Sequence, residues 1–257
     1  MDTRKYGDLQ VSIARSSAEA AETAAAHFAH AAREAIDATG DIAVILATGN
    51  SQLQFVEALG HRSDVEWGRI TVLHMDEYLG MSDEHPASFR RWMRERVVEP
   101  WKPKAFEGIR GDFVPVEAEV ARYDRLLRDL APTICVMGIG ENGHLAFNDP
   151  PADFETSEWI RVVQMDETSR AQQVGEGHFP SLNETPHEAI SLTIPALLAP
   201  KTVIVVAPEQ RKAKAVKESL EGPVTATVPA SILRTQPHAH LYLDPDSSSM
   251  LSGPTGG

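Results

Sequence analysis

Residues 137–151 read M-G-I-G-E-N-G-H-L-A-F-N-D-P-P and directly follow the apolar run 133–137, T-I-C-V-M. That run has the length and composition of a buried strand. The glycines after it allow a tight turn and a close approach of the backbone to a ligand. The polar residues His144, Asn148 and Asp149 then stand just beyond a strand end, where open α/β sheets bind their ligands. We therefore predict that a functional site is built around this stretch.

The same stretch has the glycine spacing of a dinucleotide-binding loop, G-x-G-x-x-G, at Gly138, Gly140 and Gly143. That motif requires a helix to open at the third glycine, with the pyrophosphate at the helix N-terminus. Here the chain runs instead into Pro150 and Pro151, which leave no room for a long helix. We therefore expect no dinucleotide at this loop, and we predict no other cofactor.

Strand and helix patterns alternate outward from this stretch. Apolar runs predict strands at residues 41–48, 69–74, 133–137, 159–164, 190–194, 202–207 and 240–243. A capping box at residues 16–19 begins a long Ala-rich helix that Gly40 ends. Further helices are predicted at 52–59, 90–93, 115–130, 165–174, 195–198, 209–220 and 229–234, whereas 101–113 is expected to be irregular.

This alternation is typical of a mostly parallel sheet with helices on both faces. No linker divides the sequence. We therefore predict one doubly wound, Rossmann-like α/β domain over residues 1–257, with a flexible tail from about residue 245, which is rich in Ser and Gly.

Composition and charge narrow the possible partners of this chain. Hydrophobic residues make up 42% of the 257 residues and the net charge is −13, which disfavours a nucleic-acid partner. No apolar run is long enough to span a membrane, and no signal peptide is expected after Met1. The lone Cys135 is either a catalytic thiolate or a small core residue, and its apolar surroundings favour the core. A single cysteine fits the reducing cytoplasm, and a homo-oligomer is left open.

A second candidate site lies in a loop after the strand at 41–48. Thr48, Gly49, Asn50 and Ser51 lead from that strand into a helix. Such a loop is an anion cradle, because its unpaired N–H groups point outward and the helix dipole favours negative charge. The alternative is that Asn50 or Ser51 only caps the helix.

Two adjacent acids mark a third strand end. Asp76 and Glu77 lie in M-D-E-Y at 75–78, directly after the strand at 69–74. Carboxylates in that position suit acid–base chemistry. The alternative is a solvated acidic turn.

These motifs together resemble the glucosamine-6-phosphate deaminase family, which belongs to a wider group with the 6-phosphogluconolactonases. Four motifs carry the resemblance, and they follow the family order along most of the chain. They are T-G-N-S at 48–51, M-D-E-Y at 75–78 with His85-Pro86 after it, residues 138–150, and E-Q-R-K-A at 209–213. M-D-E-Y and the continuation A-F-N-D-P are nearer to the deaminase branch. The resemblance implies isomerisation of an amino sugar phosphate with loss of ammonia, glucosamine 6-phosphate giving fructose 6-phosphate.

The resemblance also implies roles for the matching residues. Asp76 would move a proton from C2 to C1, and His144, oriented by Asp149, would open the sugar ring. Lys212 would bind the phosphate together with the loop at 48–51. The substrate site is expected to include two further residues, Gly140 and Glu77, although Glu77 could instead support a neighbouring loop or exchange roles with Asp76.

The sequence departs from the family pattern at several positions. Asn142 and Asp149 stand where the family usually has Asp and Glu. An amide at 142 could hold the imidazole N–H through its carbonyl but supplies no charge, which predicts slower ring opening or a different substrate. A second phosphate-binding arginine cannot be placed, and the role is not assigned to Arg170.

Two other functions stay open on the same fold. One is a non-catalytic sugar-phosphate sensor, which the departure at Asn142 would favour. The other is a lactone hydrolase. The histidines lack the spacing of metal ligands, so no metal site is expected.

Overall fold

The computed structural model describes residues 1–252. Its strands are β1 Asp2–Tyr6, β2 Leu9–Ile13, β3 Ile42–Leu46, β4 Ile70–His74, β5 Asp76–Tyr78, β6 Ala105–Glu107, β7 Ile134–Met137, β8 Ile160–Gln164, β9 Glu188–Leu192, β10 Thr202–Val206 and β11 Ala239–Leu243. Its α-helices are α1 Ser17–Thr39, α2 Leu53–Gly60, α3 Phe89–Met93, α4 Glu99–Trp101, α5 Val116–Leu130, α6 Glu167–Gly175, α7 Ile194–Leu198 and α8 Ala213–Glu221. Short 3-10 turns cover Asn50–Gln52, Trp67–Arg69, Gln210–Lys212 and Pro229–Thr235, and a π-helical turn, Arg94–Val98, joins α3 to α4.

The main sheet has the order β1-β2-β11-β10-β7-β3-β4-β6 and is parallel except for β1. Its strands are buried on both faces because alternate residues pack against different helices. In β3, Ala43 and Ile45 belong to the core beneath α5, α7 and α8, whereas Val44 and Leu46 belong to the core beneath α1, α2 and α3. The predicted mostly parallel sheet with helices on both faces is confirmed.

The first helix follows the sequence signals closely. The Ser16 side chain caps α1 by accepting a hydrogen bond from the Glu19 N–H, and Gly40 ends the helix with φ 89°. Glycine suits that position because a side chain is strained at positive φ. The predicted start and end of this helix are therefore confirmed.

The strands at both edges of the main sheet were not predicted from the sequence. The hairpin β1–β2 forms one edge, and β6 forms the other within residues 101–113, which we predicted to be irregular. β1 is mostly exposed and reads D-T-R-K-Y, while β6 has only three half-buried residues. β1 and β6 carry too few apolar residues to give a strand signal, whereas β2, which reads L-Q-V-S-I, has the alternating pattern of a strand and was overlooked.

A second sheet changes the expected arrangement of three segments. β5, β9 and β8 pair antiparallel in a separate three-stranded sheet, although we predicted β8 and β9 in the parallel sheet and 75–78 as the segment beyond a strand end. Only Met75 separates β4 from β5, so this second sheet begins at the carboxyl edge of the main sheet. It therefore helps to wall the region where ligands bind in open α/β sheets.

The end of the chain is described as far as residue 252. Residues 245–250 form turns, and Ser247 is fully buried with its N–H donating to Asp244 Oδ1 at 2.7 Å. Residues 253–257 of the tail that we predicted to be flexible lie outside the described residues. Within residues 1–252, no helix combines the length and apolar character needed to cross a membrane.

Candidate functional site

A polar pocket opens at the carboxyl edge of the main sheet, between the loops after β3, β4, β7 and β10. The structure brings together there most of the site residues predicted from sequence: Thr48, Gly49, Ser51, Asp76, Gly140, His144 and Lys212. Four other predicted residues do not line the pocket, but each of them contacts a residue that does: Asn50, Glu77, Asn142 and Asp149. Gln172, Gln173 and Glu176, from α6 and the residue after it, also line the pocket and were not predicted.

The loop after β3 is a glycine-bearing turn into a 3-10 helix. Gly49 has φ 97°, and neither the 3-10 helix nor α2 receives a side-chain cap, so the capping alternative for Asn50 and Ser51 is wrong. The Asn50 side chain instead donates to the backbone carbonyl of Glu176 at 3.0 Å. The buried Gln52 donates to the Val206 carbonyl at 3.1 Å and ties the loop to β10. The loop is therefore held in place from two sides.

Asp76 begins β5 and faces the pocket from a buried position. Its side chain accepts no hydrogen bond from any residue in the described range 1–252. Burial, and then the charge of Glu77, raise the pKa of Asp76 to about 8. A carboxylate with a raised pKa is a stronger base, which suits abstraction of a proton from carbon near neutral pH.

Glu77 points away from the pocket. Its carboxylate is fully buried and accepts hydrogen bonds from Ser88 Oγ at 2.7 Å and from the backbone N–H groups of Tyr78, Phe89 and Arg90 at 3.0, 3.2 and 3.0 Å. It thereby holds the N-terminus of α3 against β5. Of the roles considered, this geometry supports the neighbouring-loop role and does not place Glu77 in contact with a substrate.

The imidazole of His144 lies against the backbone of Gly140. A Cβ atom built on Gly140 would lie 2.2 Å from His144 Nε2, so only glycine leaves room for the ring. The Gly140 N–H also donates to the His144 carbonyl at 2.9 Å. Gly140 therefore determines where the imidazole sits.

A serine stands between the imidazole and its acid. His144 Nδ1 lies 3.2 Å from Asp149 Oδ1, and Ser169 Oγ lies 2.8 Å from His144 Nδ1 while donating to Asp149. Burial opposes ionisation of Asp149, but hydrogen bonds from His144, Ser169 and Asn142 lower its pKa below the ordinary value. Ser169 was missed because it lies 25 residues from His144, in a helix whose pattern gave no sign of chemistry.

Asn142 does not hold the imidazole, contrary to the expectation. Its carbonyl accepts the backbone N–H of His144 at 3.0 Å, and its amide donates to Asp149 at 3.0 Å and to Asp166 at 2.9 Å. The amide thus joins two carboxylates, Asp149 and Asp166, and adds one donor to each. An aspartate here would place three carboxylates together, which explains physically why this chain carries an amide.

Lys212 enters the pocket from the 3-10 turn before α8 and is almost fully buried. Burial, and then the charge of Arg211, lower the pKa of Lys212 to about 8. Arg170 does not reach the pocket: its guanidinium donates to the carbonyls of Leu182 and Thr185. Arg170, which was assigned no phosphate role from the sequence, therefore does not line the pocket.

Cys135 lies in β7 and is fully buried, and burial raises the pKa of its thiol. The predicted core role is confirmed. Among the described residues there is no group of three or more His, Cys, Asp or Glu side chains that could hold a metal ion.

Fold and site together define a doubly wound α/β protein whose polar pocket suits a small anionic ligand. Comparison with known proteins makes this more specific. The chain belongs to the family described as glucosamine-6-phosphate isomerases/6-phosphogluconolactonase, whose model matches residues 15–242. The resemblance stated from the motifs is confirmed.

Individual relatives point to the deaminase branch. The chain is 34% identical over 207 residues to a glucosamine-6-phosphate deaminase of Exiguobacterium sibiricum, covering 80% of each chain. It is 33% identical over 208 residues to one of Lactobacillus delbrueckii subsp. bulgaricus, covering 80% of this chain and 86% of that one. A solved monomeric glucosamine-6-phosphate deaminase superposes with TM-score 0.85 and 27% identity over 93% of this chain and 99% of its own. A 6-phosphogluconolactonase from Shewanella baltica, at TM-score 0.74 and 18% identity over 91% of this chain and 96% of its own, shares the fold.

Proposed function

We propose that this protein is an enzyme that converts glucosamine 6-phosphate and water to fructose 6-phosphate and ammonia. The observation that carries the proposal is the convergence of Asp76, His144, Lys212 and the loop at 48–51 on one pocket. These groups come from four separate strand ends, and each matches a chemical need of the reaction. The deaminases among the relatives support the same activity.

The proposed mechanism assigns one task to each group. His144, held by Asp149 and Ser169, transfers the proton that opens the sugar ring. Asp76 then takes the proton from C2 and returns it to C1, and water replaces the nitrogen at C2 as ammonia leaves. Lys212 and the N–H groups of the loop at 48–51 hold the phosphate. The fixed loop and the buried lysine keep the reacting carbons next to Asp76.

The setting in which this chemistry takes place is also part of the proposal. We propose one domain acting in the cytoplasm on a small-molecule sugar phosphate, without a nucleic-acid partner. The pattern of the cores supports one unit, because strands from both ends of the chain share the cluster that contains Ile45. The single buried Cys135 is compatible with a reducing compartment.

The direct test is to supply glucosamine 6-phosphate and measure ammonia and fructose 6-phosphate, with 6-phosphogluconolactone as a parallel substrate. We expect release of both products in equal amounts from the amino sugar, and none from Asp76→Asn, which should still bind the sugar phosphate. Hydrolysis of the lactone without ammonia release would support the lactonase alternative. Binding of glucosamine 6-phosphate without turnover in the wild-type protein would support a sensor.

A further inference from the structure

A carboxylate lies in the part of the pocket where a phosphate is expected. Glu176 follows α6 directly, lines the pocket and has a side chain only 6% exposed. Its Oε2 is 3.7 Å from the point where a Cβ on Gly49 would lie, so the carboxylate stands against the glycine turn of the loop at 48–51. An acid in this place repels an anion unless it moves away or exchanges its partner.

The Glu176 carboxylate has two partners, His178, whose Nε2 lies 3.4 Å from Oε2, and an arginine beside the pocket lysine. Arg211 Nη1 lies 2.6 Å from Glu176 Oε1 and 3.2 Å from Glu141 Oε1, and Arg211 Nε lies 2.5 Å from Glu209 Oε2. Three carboxylates therefore share one guanidinium. Because this guanidinium has three carboxylate partners, one of them can be replaced by another anion without leaving the arginine unpaired.

The pocket lining, within the described residues, offers a phosphate only one cation. Lys212 is the only lysine or arginine among the pocket-lining residues of the described range, and its lowered pKa leaves part of the population uncharged near neutral pH. Arginine stays charged at every physiological pH, and its planar fork matches two phosphate oxygens. Arg211 is adjacent to Lys212 in the chain, and Arg170 is occupied by backbone carbonyls.

We propose that Arg211 is the second phosphate-binding cation of this site and that Glu176 occupies it until the phosphate of the sugar takes its place. The inference rests on the proposed function in that the ligand is a phosphorylated sugar. Glu176 acts as a displaceable internal anion. It makes the pocket select a phosphorylated sugar, because a neutral sugar cannot exchange with a carboxylate on a guanidinium.

Displacement of Glu176 would also release contacts of α6. The Glu176 carboxylate accepts a hydrogen bond from Gln172 Nε2 at 2.9 Å, and its backbone carbonyl accepts the one from Asn50 at 3.0 Å. Gln172 in turn accepts the N–H of Glu141 at 3.0 Å. Binding of the phosphate is thereby linked to the helix that also carries Ser169.

The test is titration of the full chain with inorganic phosphate by calorimetry, alongside KM for glucosamine 6-phosphate. We expect Glu176→Gln to bind phosphate about tenfold more tightly and Arg211→Met to bind it roughly 10–100-fold more weakly, as for a charge-assisted hydrogen bond gained or lost. In the double variant, the gain from Glu176→Gln should disappear, because the two residues act on each other. Lys214→Met and Glu218→Gln on the outer face of α8 make the same charge changes away from the pocket and serve as matched controls.

The two proposals fail in different ways in this experiment. Unchanged or weaker phosphate binding by Glu176→Gln, or wild-type binding by Arg211→Met, would overturn the role of the pair. Arg211→Lys, which keeps the charge without the fork, provides an intermediate weakening if Arg211→Met does not fold. Shifts of the expected sign without any ammonia release would leave the anion site standing and remove the proposed reaction.

Discussion

Ser169 supports the contact between the imidazole and its carboxylate, since its hydroxyl contacts both His144 and Asp149. We predict that Ser169→Ala lowers kcat roughly tenfold. The loss should be smaller than the roughly 10²–10⁴-fold contributed by a complete acid–base group, because the direct contact between His144 and Asp149 is retained. KM should change little, since Ser169 does not line the pocket. Steady-state kinetics across pH checks this.

A positioning role and a merely structural one can be separated at this residue. Ser169→Thr keeps the hydroxyl and should recover most of kcat, with the pH profile of kcat returning towards that of the wild type. If Ser169→Ala changed only the melting temperature, or if threonine restored nothing, the hydroxyl would have no part in orienting His144.

The site residues differ in whether their roles could be predicted from the sequence. Asp76, His144 and Lys212 could be predicted because each follows a strand and matches a family motif. The environment of Asn142 could not, because Asp166 reaches it as the N-cap of α6, 24 residues away. Glu176 and Arg211 were not paired in sequence for the same reason. Contacts made by helix ends depend on the path of the chain between elements, which periodicity does not report.

At the scale of elements, the sequence located most strands but not the sheet that each one joins. Residues 160–164 and 188–192 carry the same apolar pattern whether their partner is parallel or antiparallel, so β8 and β9 could not be separated from the main sheet. What fixes them is β5, which extends from β4 after a single residue and pairs with β9. α3 is held to this small sheet through Glu77.

Glu77 gives a prediction about this junction. Glu77→Ala removes the acceptor of Ser88 Oγ and three backbone N–H groups. We expect a loss of about 2–4 kcal/mol in the free energy of unfolding, equivalent to a melting temperature lower by roughly 5–15 °C for a chain of this size. Calorimetric unfolding measures it. The exposed Glu84→Ala is the control and should stay within about 0.5 kcal/mol, and equal effects of the two variants would remove Glu77 as the anchor of α3.

For the whole molecule, a net charge of −13 has to be reconciled with an anionic ligand. In the proposed site, the glycine turn at Gly49 and the cations Arg211 and Lys212 would attract the anion locally. Most of the acidic residues lie on the surface. A pocket with buried walls can set its own potential against the field of the whole protein. If Lys212 binds the phosphate as proposed, binding should weaken as the pH rises through about 8, where this lysine loses its charge.

The pH dependence of kcat/KM follows from two buried groups that titrate near the same pH. Asp76 acts deprotonated and has a pKa of about 8, so its contribution rises as the pH approaches 8. Lys212 acts protonated, also with a pKa of about 8, so its contribution falls above that pH. We predict that a plot of kcat/KM against pH for the wild type is a narrow bell centred near pH 8. Lys212→Arg should keep the acidic limb and lose the alkaline one, because arginine remains charged. Ionisations of the substrate are common to both proteins and cancel in the ratio of the two profiles. A ratio that stays flat between pH 7 and pH 9 would show that the charge of Lys212 does not control kcat/KM in this range and would contradict the prediction.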